Sequence, residues 1–334
     1  MKRIFIFIVL MIVVVIQPDA VMGEQDELNI YKGEPRTIAH DFLDLEKEFG
    51  AGSKHSAVID RLINTAALRV IVRKSYSTDD AVKIMLAIDS ILREESFVFK
   101  NNFLLSHGLD RKIIDCDNYC TIYIAIAEAL KIPILPVYAP NHSFLRFIFD
   151  DGTYINWEPT QKAVQPDSYY IKTLRIPDET IKSGVYMRNL IRQEFIAVEY
   201  NNIGAYLMSD RKYSESVPYF STAIKLYPLF SSAYHNRGTA YYATKRLDEA
   251  LSDILKANGL DPSRPTTHNT LGDIYFDQKE YDAALREYTA SIRLDPSNFV
   301  PYNSIALIMK IKGKNDKAQT WLKKSQEIKA KYGR

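Results

Sequence analysis

The sequence contains very little cysteine, with two residues in 334. So low a number argues against a disulfide-stapled scaffold. Cys116 and Cys120 are four positions apart, a spacing that on a helix separates their Cβ atoms by ~5–6 Å. A disulfide needs Cβ atoms ~3.8 Å apart, so a bridge would distort the helix. We therefore expect two free thiols, with Cys120 as a small core residue.

The sequence also lacks an excess of charge of one sign. Lysine and arginine total 43 and aspartate and glutamate total 41, a formal net charge of +2. With so little net charge, the chain has no overall field that would attract nucleic acid or an acidic polymer. We expect no nucleic-acid partner.

Long apolar runs are absent except at the N-terminus. Lys2 and Arg3 precede thirteen apolar residues, Ile4 to Ile16, followed by Gln-Pro-Asp. A membrane span needs ~20 apolar residues, and this shorter run with basic residues before it is typical of a secretory signal. We predict a signal peptide at 1–23 and a periplasmic or secreted protein. The alternative is an uncleaved segment that anchors the chain in a membrane.

Cys116 lies at the predicted start of a helix. Asp115 is a favourable N-cap residue, and the apolar run after it has helical length. A helix N-terminus lowers the pKa of a thiol and favours the nucleophilic thiolate. The carboxylates of Asp115 and Asp117 oppose that effect.

Two β-rich runs follow, joined by an Asp-Asp-Gly turn. If they form a hairpin with a three-residue turn, Phe149 pairs with Thr153 and His142 lies opposite Thr160. Glu158 is then diagonal to His142 on the same face of the sheet. An imidazole beside a carboxylate, with a thiol delivered by the preceding helix, is the arrangement of a base, an orienting group and a nucleophile.

Three short motifs carry a family resemblance: Leu-Lys-Ile-Pro at 130–133, Pro-Asn-His-Ser-Phe at 140–144 and Asn-Trp-Glu-Pro-Thr at 156–160. With Cys116, they resemble the transglutaminase-like core of the papain-like cysteine enzymes. Glu158 stands where that family usually has Asp, and Lys131 where it has Gly. The resemblance implies an α+β domain at 80–190, catalytic Cys116, His142 and Glu158, an acyl-thioester reaction and no cofactor.

The C-terminal part repeats with a period of 34 residues. Small residues recur at Gly204, Gly238, Gly272 and Ala306, and prolines recur at Pro228, Pro262 and Pro296. This is the tetratricopeptide (TPR) pattern of paired helices, in which small residues let the helices approach and prolines end the second helix. We predict an all-α solenoid of four repeats at 197–230, 231–264, 265–298 and 299–332.

One recurring position in the repeats is polar. By the layout of TPR proteins, the fifth residue of each first helix faces the concave groove, where a peptide or protein partner would bind. Here it is occupied by Asn201, His235, Asn269 and Asn303. The alternative is a solvated polar face that also serves contacts between repeats.

The whole chain is therefore predicted to have a signal peptide, a helical segment at 24–79, a transglutaminase-like domain and a TPR solenoid. The favoured function is a thiol enzyme that hydrolyses amides or peptides, or transfers their acyl groups, with repeats that recruit a substrate or partner. The alternative is a non-catalytic TPR binding protein that retains the fold. No metal is expected, because Cys116, Cys120 and His142 lack a fourth ligand and the usual spacing.

Overall fold

A computed structural model of the protein describes residues 36–332. The predicted signal peptide at 1–23 and residues 24–35 lie outside the described part. Within 36–332, no helix combines the length and the apolar character that a membrane crossing requires. Fifteen α-helices account for most of the described residues, and the strands are few and short.

The first half of the described chain is built around helix α5. Its helices are α1 (Ile38–Leu45), α2 (Ser53–Arg69), α3 (Thr78–Glu94), α4 (Leu105–Arg111) and α5 (Cys116–Leu130), with a 3-10 turn at Lys47–Phe49. Helix α5 is buried from Asn118 to Ala127 and packs against α1 and α2 as well as against the sheet described next. An apolar helix covered by several elements is the expected centre of a core.

The main sheet has four antiparallel strands in sequence order: β3 (Ile134–Ala139), β4 (His142–Ile148), β5 (Tyr154–Glu158) and β6 (Ala163–Gln165). A separate parallel pair consists of β1 (Val98–Phe99) and β2 (Ile113–Ile114). In the β4–β5 hairpin Leu145 is opposite Trp157, and the Phe149 N–H donates to the Thr153 carbonyl at 2.8 Å. This is the register that the three-residue turn predicted.

The segment after β6 runs back over the sheet through α6 (Asp167–Thr173) and α7 (Asp178–Lys182), each preceded by a proline. The buried guanidinium of Arg146 fixes this segment. It donates to Asn156 Oδ1 at 2.8 Å, Asp167 Oδ1 at 3.1 Å and the Met187 carbonyl at 3.2 Å. One side chain on β4 therefore orders a loop that local sequence alone leaves undetermined.

The second half consists of four helix pairs, and this confirms the predicted solenoid. The pairs are α8 (Arg192–Ser209) with α9 (Tyr213–Leu226), α10 (Ser231–Ala243) with α11 (Leu247–Leu260), α12 (Pro265–Asp277) with α13 (Tyr281–Leu294), and α14 (Val300–Ile311) with α15 (Asn315–Tyr332). The first helix begins at Arg192 rather than at 197. The small residues allow close approach: a Cβ at Gly272 would lie 2.5 Å from the Tyr288 ring.

The described halves are joined by buried polar contacts. The Tyr138 hydroxyl on β3 lies 2.7 Å from Ser232 Oγ on α10. The Tyr186 hydroxyl donates to Asp261 Oδ2 at 2.7 Å, immediately after α11. Since each of these side chains is buried, the repeats are a packed part of one compact body and not a loosely tethered appendage.

Candidate active site

Cys116 is the first residue of α5. The N-cap residue Asp115 places it there, because Asp115 Oδ1 accepts hydrogen bonds from the N–H of Asn118 at 3.0 Å and from Asn118 Nδ2 at 2.8 Å. Such a cap satisfies one of the open N–H groups of the first turn. The predicted helix start is therefore confirmed. Cys116 is half-buried, Cys120 is buried one turn later, and both thiols are free.

The electrostatic surroundings of the Cys116 thiol oppose its ionisation. Burial raises its pKa, and the carboxylates of Asp117 and Asp115 raise it further. Hydrogen bonds from the backbone N–H groups of Ser143 and Asp117 act in the opposite direction and are outweighed. Sγ lies 3.9 Å from Asp117 Oδ1. The helix N-terminus alone is therefore not sufficient to keep Cys116 ionised as a thiolate.

Asp115 shares this environment. Its own burial, and then the charge of Asp117, raise the pKa of Asp115 to about 7. Two carboxylates close together in a buried place cannot both ionise freely. Below neutral pH, the Asp115 carboxyl is therefore largely protonated and adds less negative charge near the thiol.

His142 and Glu158 form a hydrogen-bonded pair. His142 Nε2 lies 2.7 Å from Glu158 Oε2 across the β4–β5 hairpin, in the diagonal relation that the register predicted. Glu158 also accepts hydrogen bonds from the N–H and the hydroxyl of Thr160. Burial would raise the pKa of Glu158, but the hydrogen bond and charge of His142 together with Thr160 lower it. Glu158 is thus held as a carboxylate behind the imidazole.

Cys116 and His142 line one cleft of about 450 Å³. Its opposite wall is formed by the repeats, with Asn201 and Asn202 on α8, Ser232 and Asn236 on α10, and Arg264 just before α12. Asn202 Nδ2 donates to Asp117 Oδ2 at 3.3 Å, and Asn236 Nδ2 donates to Asn201 Oδ1 at 2.8 Å. The cleft therefore lies between the thiol-bearing domain and the solenoid.

The four predicted groove residues have different surroundings. Asn201 lines the Cys116 cleft, and Asn303 lines a separate cavity between α14 and α15. His235 Nδ1 is 3.2 Å from Thr267 Oγ1 of the next repeat, and burial followed by the Arg264 charge lowers the pKa of His235 to about 3. Asn269 has a buried side-chain oxygen without a hydrogen-bond partner in the described chain.

Several cleft residues were not identified from the sequence. Asn202 and Asn236 each follow a predicted groove position by one residue, so the 34-residue period contained their signal. Arg264 precedes the third repeat's first helix and carried no comparable signal. Tyr170 does not line the cleft; it stacks on Phe144 with ring centroids 3.7 Å apart and lies 6.2 Å from the His142 ring. It belongs to the core that holds the imidazole.

Comparison with known proteins identifies the repeats. A tetratricopeptide repeat family model matches residues 202–265, and a TPR repeat model matches residues 272–313. The second half is therefore a TPR array, a type of fold that serves as a protein-interaction scaffold. No curated protein sequence matches the chain.

Among solved structures, the chain is similar to crystal structures of MamA. One is 23% identical, with 40% of this chain and 79% of that chain covered and a TM-score of 0.39. Another is 21% identical, covering 49% and 94%, with a TM-score of 0.38. MamA from Desulfovibrio magneticus RS-1 is 18% identical, covering 40% and 76%, with a TM-score of 0.38.

Proposed function

We propose that the protein is a transglutaminase-like thiol enzyme whose TPR repeats form one wall of its substrate cleft. The observation that carries the proposal is the His142–Glu158 pair, 2.7 Å apart, with His142 lining the cleft into which Cys116 opens and Glu158 buried behind it. The proposed exported location rests on the sequence of residues 1–23 alone.

In the proposed reaction, the Cys116 sulfur attacks the carbonyl carbon of an amide or ester. Glu158 holds Nε2 of His142, which leaves Nδ1 as the ring nitrogen that takes the thiol proton. The tetrahedral intermediate then breaks its bond to the leaving amine or alcohol, which receives that proton, and a Cys116 thioester remains. Water or an amine resolves the thioester.

The raised pKa of Cys116 shapes this mechanism. A thiol that stays protonated suits removal of its proton during attack, with His142 as general base, better than a thiolate formed beforehand. Asp117 contributes to the raised pKa and is also hydrogen-bonded to Asn202 of the repeats. The proposed site is thus electrostatically linked to the solenoid.

The second candidate function is a TPR binding protein without catalysis. The observation that favours it is again the Cys116 pKa, which burial and two carboxylates hold above the ordinary thiol value. In that case the cleft is a binding surface, and the His142–Glu158 pair is structural.

Alkylation of the purified protein with iodoacetamide separates the two candidates. Mass spectrometry would locate the label in wild type, Cys120→Ala and His142→Ala across pH 6 to 10. The enzyme proposal expects labelling of Cys116 that slows when His142 is removed. Incorporation of a dansylated primary amine, or release of ammonia, from glutamine peptides should be absent in Cys116→Ala. Cys116 labelling that is independent of His142, without turnover of any peptide, would support the binding protein.

A further inference from the structure

A second cavity adjoins the Cys116 cleft. It has a volume of about 500 Å³ and shares Asn141 and Arg264 with the cleft as lining residues. Asn141 is in the turn between β3 and β4, and Arg264 lies between α11 and α12. An extended chain held at Cys116 can therefore continue past these two residues into the second cavity. We call this cavity the arginine chamber, because Arg175, Arg264 and Arg293 line it.

The carboxylates of the arginine chamber are occupied by neighbours. Asp261 Oδ1 accepts hydrogen bonds from the N–H and hydroxyl of Ser263, while its Oδ2 accepts from Tyr186. Asp295 Oδ1 accepts in the same way from the N–H and hydroxyl of Ser297. These two acidic groups are committed to local turns and contacts.

The guanidinium groups of the chamber have fewer hydrogen-bond partners than these carboxylates. Arg264 has a side chain nine-tenths buried, donates from Nη2 to Ser232 Oγ, and has an Nε without a hydrogen-bond partner in the described chain. Nε forms an ion pair with Asp261 Oδ2 at 3.8 Å, beyond hydrogen-bond distance, and Arg264 also interacts with the Tyr186 hydroxyl. Within residues 36–332, the exposed side chains of Arg175 and Arg293 form no hydrogen bond or ion pair. A buried donor left unpaired is costly and normally finds a partner.

We infer that the arginine chamber binds the carboxylates of an acidic peptide whose neighbouring segment reaches Cys116. This inference rests on the proposed function, since it names the substrate class of that site. Planar guanidinium groups bind carboxylates with two parallel hydrogen bonds, and three of them in one cavity favour several acidic side chains. The thiol end of the cleft carries Asp115 and Asp117, so it disfavours acidic residues there. This polarity aligns the peptide in one direction.

Binding is tested with the Cys116→Ala variant, in which no reaction can consume the peptide. The probes are fluorescein-labelled, end-capped peptides: Gly-Gly-Gln-Gly-Glu-Glu-Glu, its reverse order, and versions with Gln in place of every Glu. We expect at least one acidic probe to bind about tenfold or more tightly than its neutral version in fluorescence anisotropy. Arg175→Gln with Arg293→Gln should abolish that preference and leave the neutral probe unchanged.

A matched control removes two exposed positive charges elsewhere, by Arg286→Gln with Lys323→Gln. Equal loss of acidic-probe binding in this control would overturn the inference. The preference would then come from the positive charge of the protein as a whole and not from the chamber. Equal binding of acidic and neutral probes would overturn it as well. Binding of millimolar inorganic phosphate without binding of the acidic probes would also overturn it, because the chamber would then be a phosphate site.

The outcome separates the inference from the proposed function. The acidic probe could bind preferentially although the wild-type protein is neither alkylated at Cys116 nor active on any peptide. That result would retain the chamber and reject the enzyme. Turnover that is Cys116-dependent but equal for acidic and neutral peptides would retain the enzyme and reject the chamber.

Discussion

Asp117, the residue after the candidate nucleophile, accepts a hydrogen bond from Asn202 in the first helix of the TPR array, with 3.3 Å between Oδ2 and Nδ2. The other carboxylate oxygen, Oδ1, lies 3.9 Å from the Cys116 sulfur. One side chain thus contacts both the thiol and the repeats. A carboxylate that opposes thiol ionisation therefore also forms part of the junction between the two halves.

Removing the charge of Asp117 should activate the thiol. In the Cys120→Ala background, we expect Asp117→Asn to lower the Cys116 pKa and to speed its alkylation at pH 8 about tenfold, the effect of about one pKa unit. The measurement is the iodoacetamide rate against pH. Asp150→Asn, an exposed turn residue of the same charge, should leave the rate unchanged. An unchanged rate in Asp117→Asn would mean that burial and Asp115 raise the thiol pKa without Asp117.

The buried carboxyl group of Glu199 should make stability fall as pH rises. Burial and the neighbouring Glu46 raise the pKa of Glu199. A group with a raised folded-state pKa contributes stability below its unfolded pKa of about 4.3 and loses that contribution as pH rises toward the folded value. We expect Glu199→Gln to increase the free energy of unfolding by about 1–3 kcal/mol at pH 8 and to change it little at pH 4.

Urea unfolding at both pH values measures this difference. The exposed Glu215→Gln on the next helix is the control and should change stability little at either pH. A gain from Glu199→Gln of the same size at pH 4 and pH 8 would contradict the assigned titration.

Glu158 should have the opposite pH dependence. Although burial acts to raise its pKa, the His142 and Thr160 interactions lower it overall. A lowered carboxyl pKa contributes stability above the unfolded value and loses it as pH falls through the folded value. We expect Glu158→Gln to lower stability at pH 7 and to flatten the loss between pH 5 and pH 3. Parallel acid profiles for wild type and variant, in thermal melts, would count against the His142–Glu158 interaction.

Two glycines in the repeats should respond in opposite ways to alanine. At Gly272 the added Cβ would lie 2.5 Å from the ring of Tyr288, whose hydroxyl donates to Asp273. Because that ring is buried and held, we expect Gly272→Ala to cost about 1–3 kcal/mol. Gly259 on α11 is exposed with nothing within 4 Å of such a Cβ, and Gly259→Ala should gain about 0.5–1 kcal/mol. Chemical denaturation compares them, and equal signs would refute the packing argument.

Local signals accounted for the parts of the fold that the sequence predicts correctly. Asp115 marks the start of α5 because capping depends on adjacent residues. The Asp-Asp-Gly turn fixes the β4–β5 register, and this register brings His142 to Glu158. The 34-residue period predicts four helix pairs, since each pair repeats the same contacts.

The second wall of the cleft could not be predicted in this way. Asn202 meets Asp117 across 85 positions of sequence, and no local pattern encodes a contact at that separation. The raised Cys116 pKa has the same origin, because burial depends on what packs over the helix start. His235, at a predicted groove position, lies 3.2 Å from Thr267 of the next repeat, a separation of 32 positions that no local pattern encodes.

The contact between Tyr138 and Ser232 has a consequence for biosynthesis. Ser232 lies 94 positions after Tyr138 and is synthesised that much later, and Arg264 comes later still. Since chains are made from the N-terminus and segments fold as they emerge, the thiol-bearing half appears while its opposite wall is missing. A translation product that stops before the second repeat therefore carries Cys116 and the α8 side of the cleft but lacks Ser232, Asn236 and Arg264. Any substrate selection that depends on the complete cleft is then confined to longer chains.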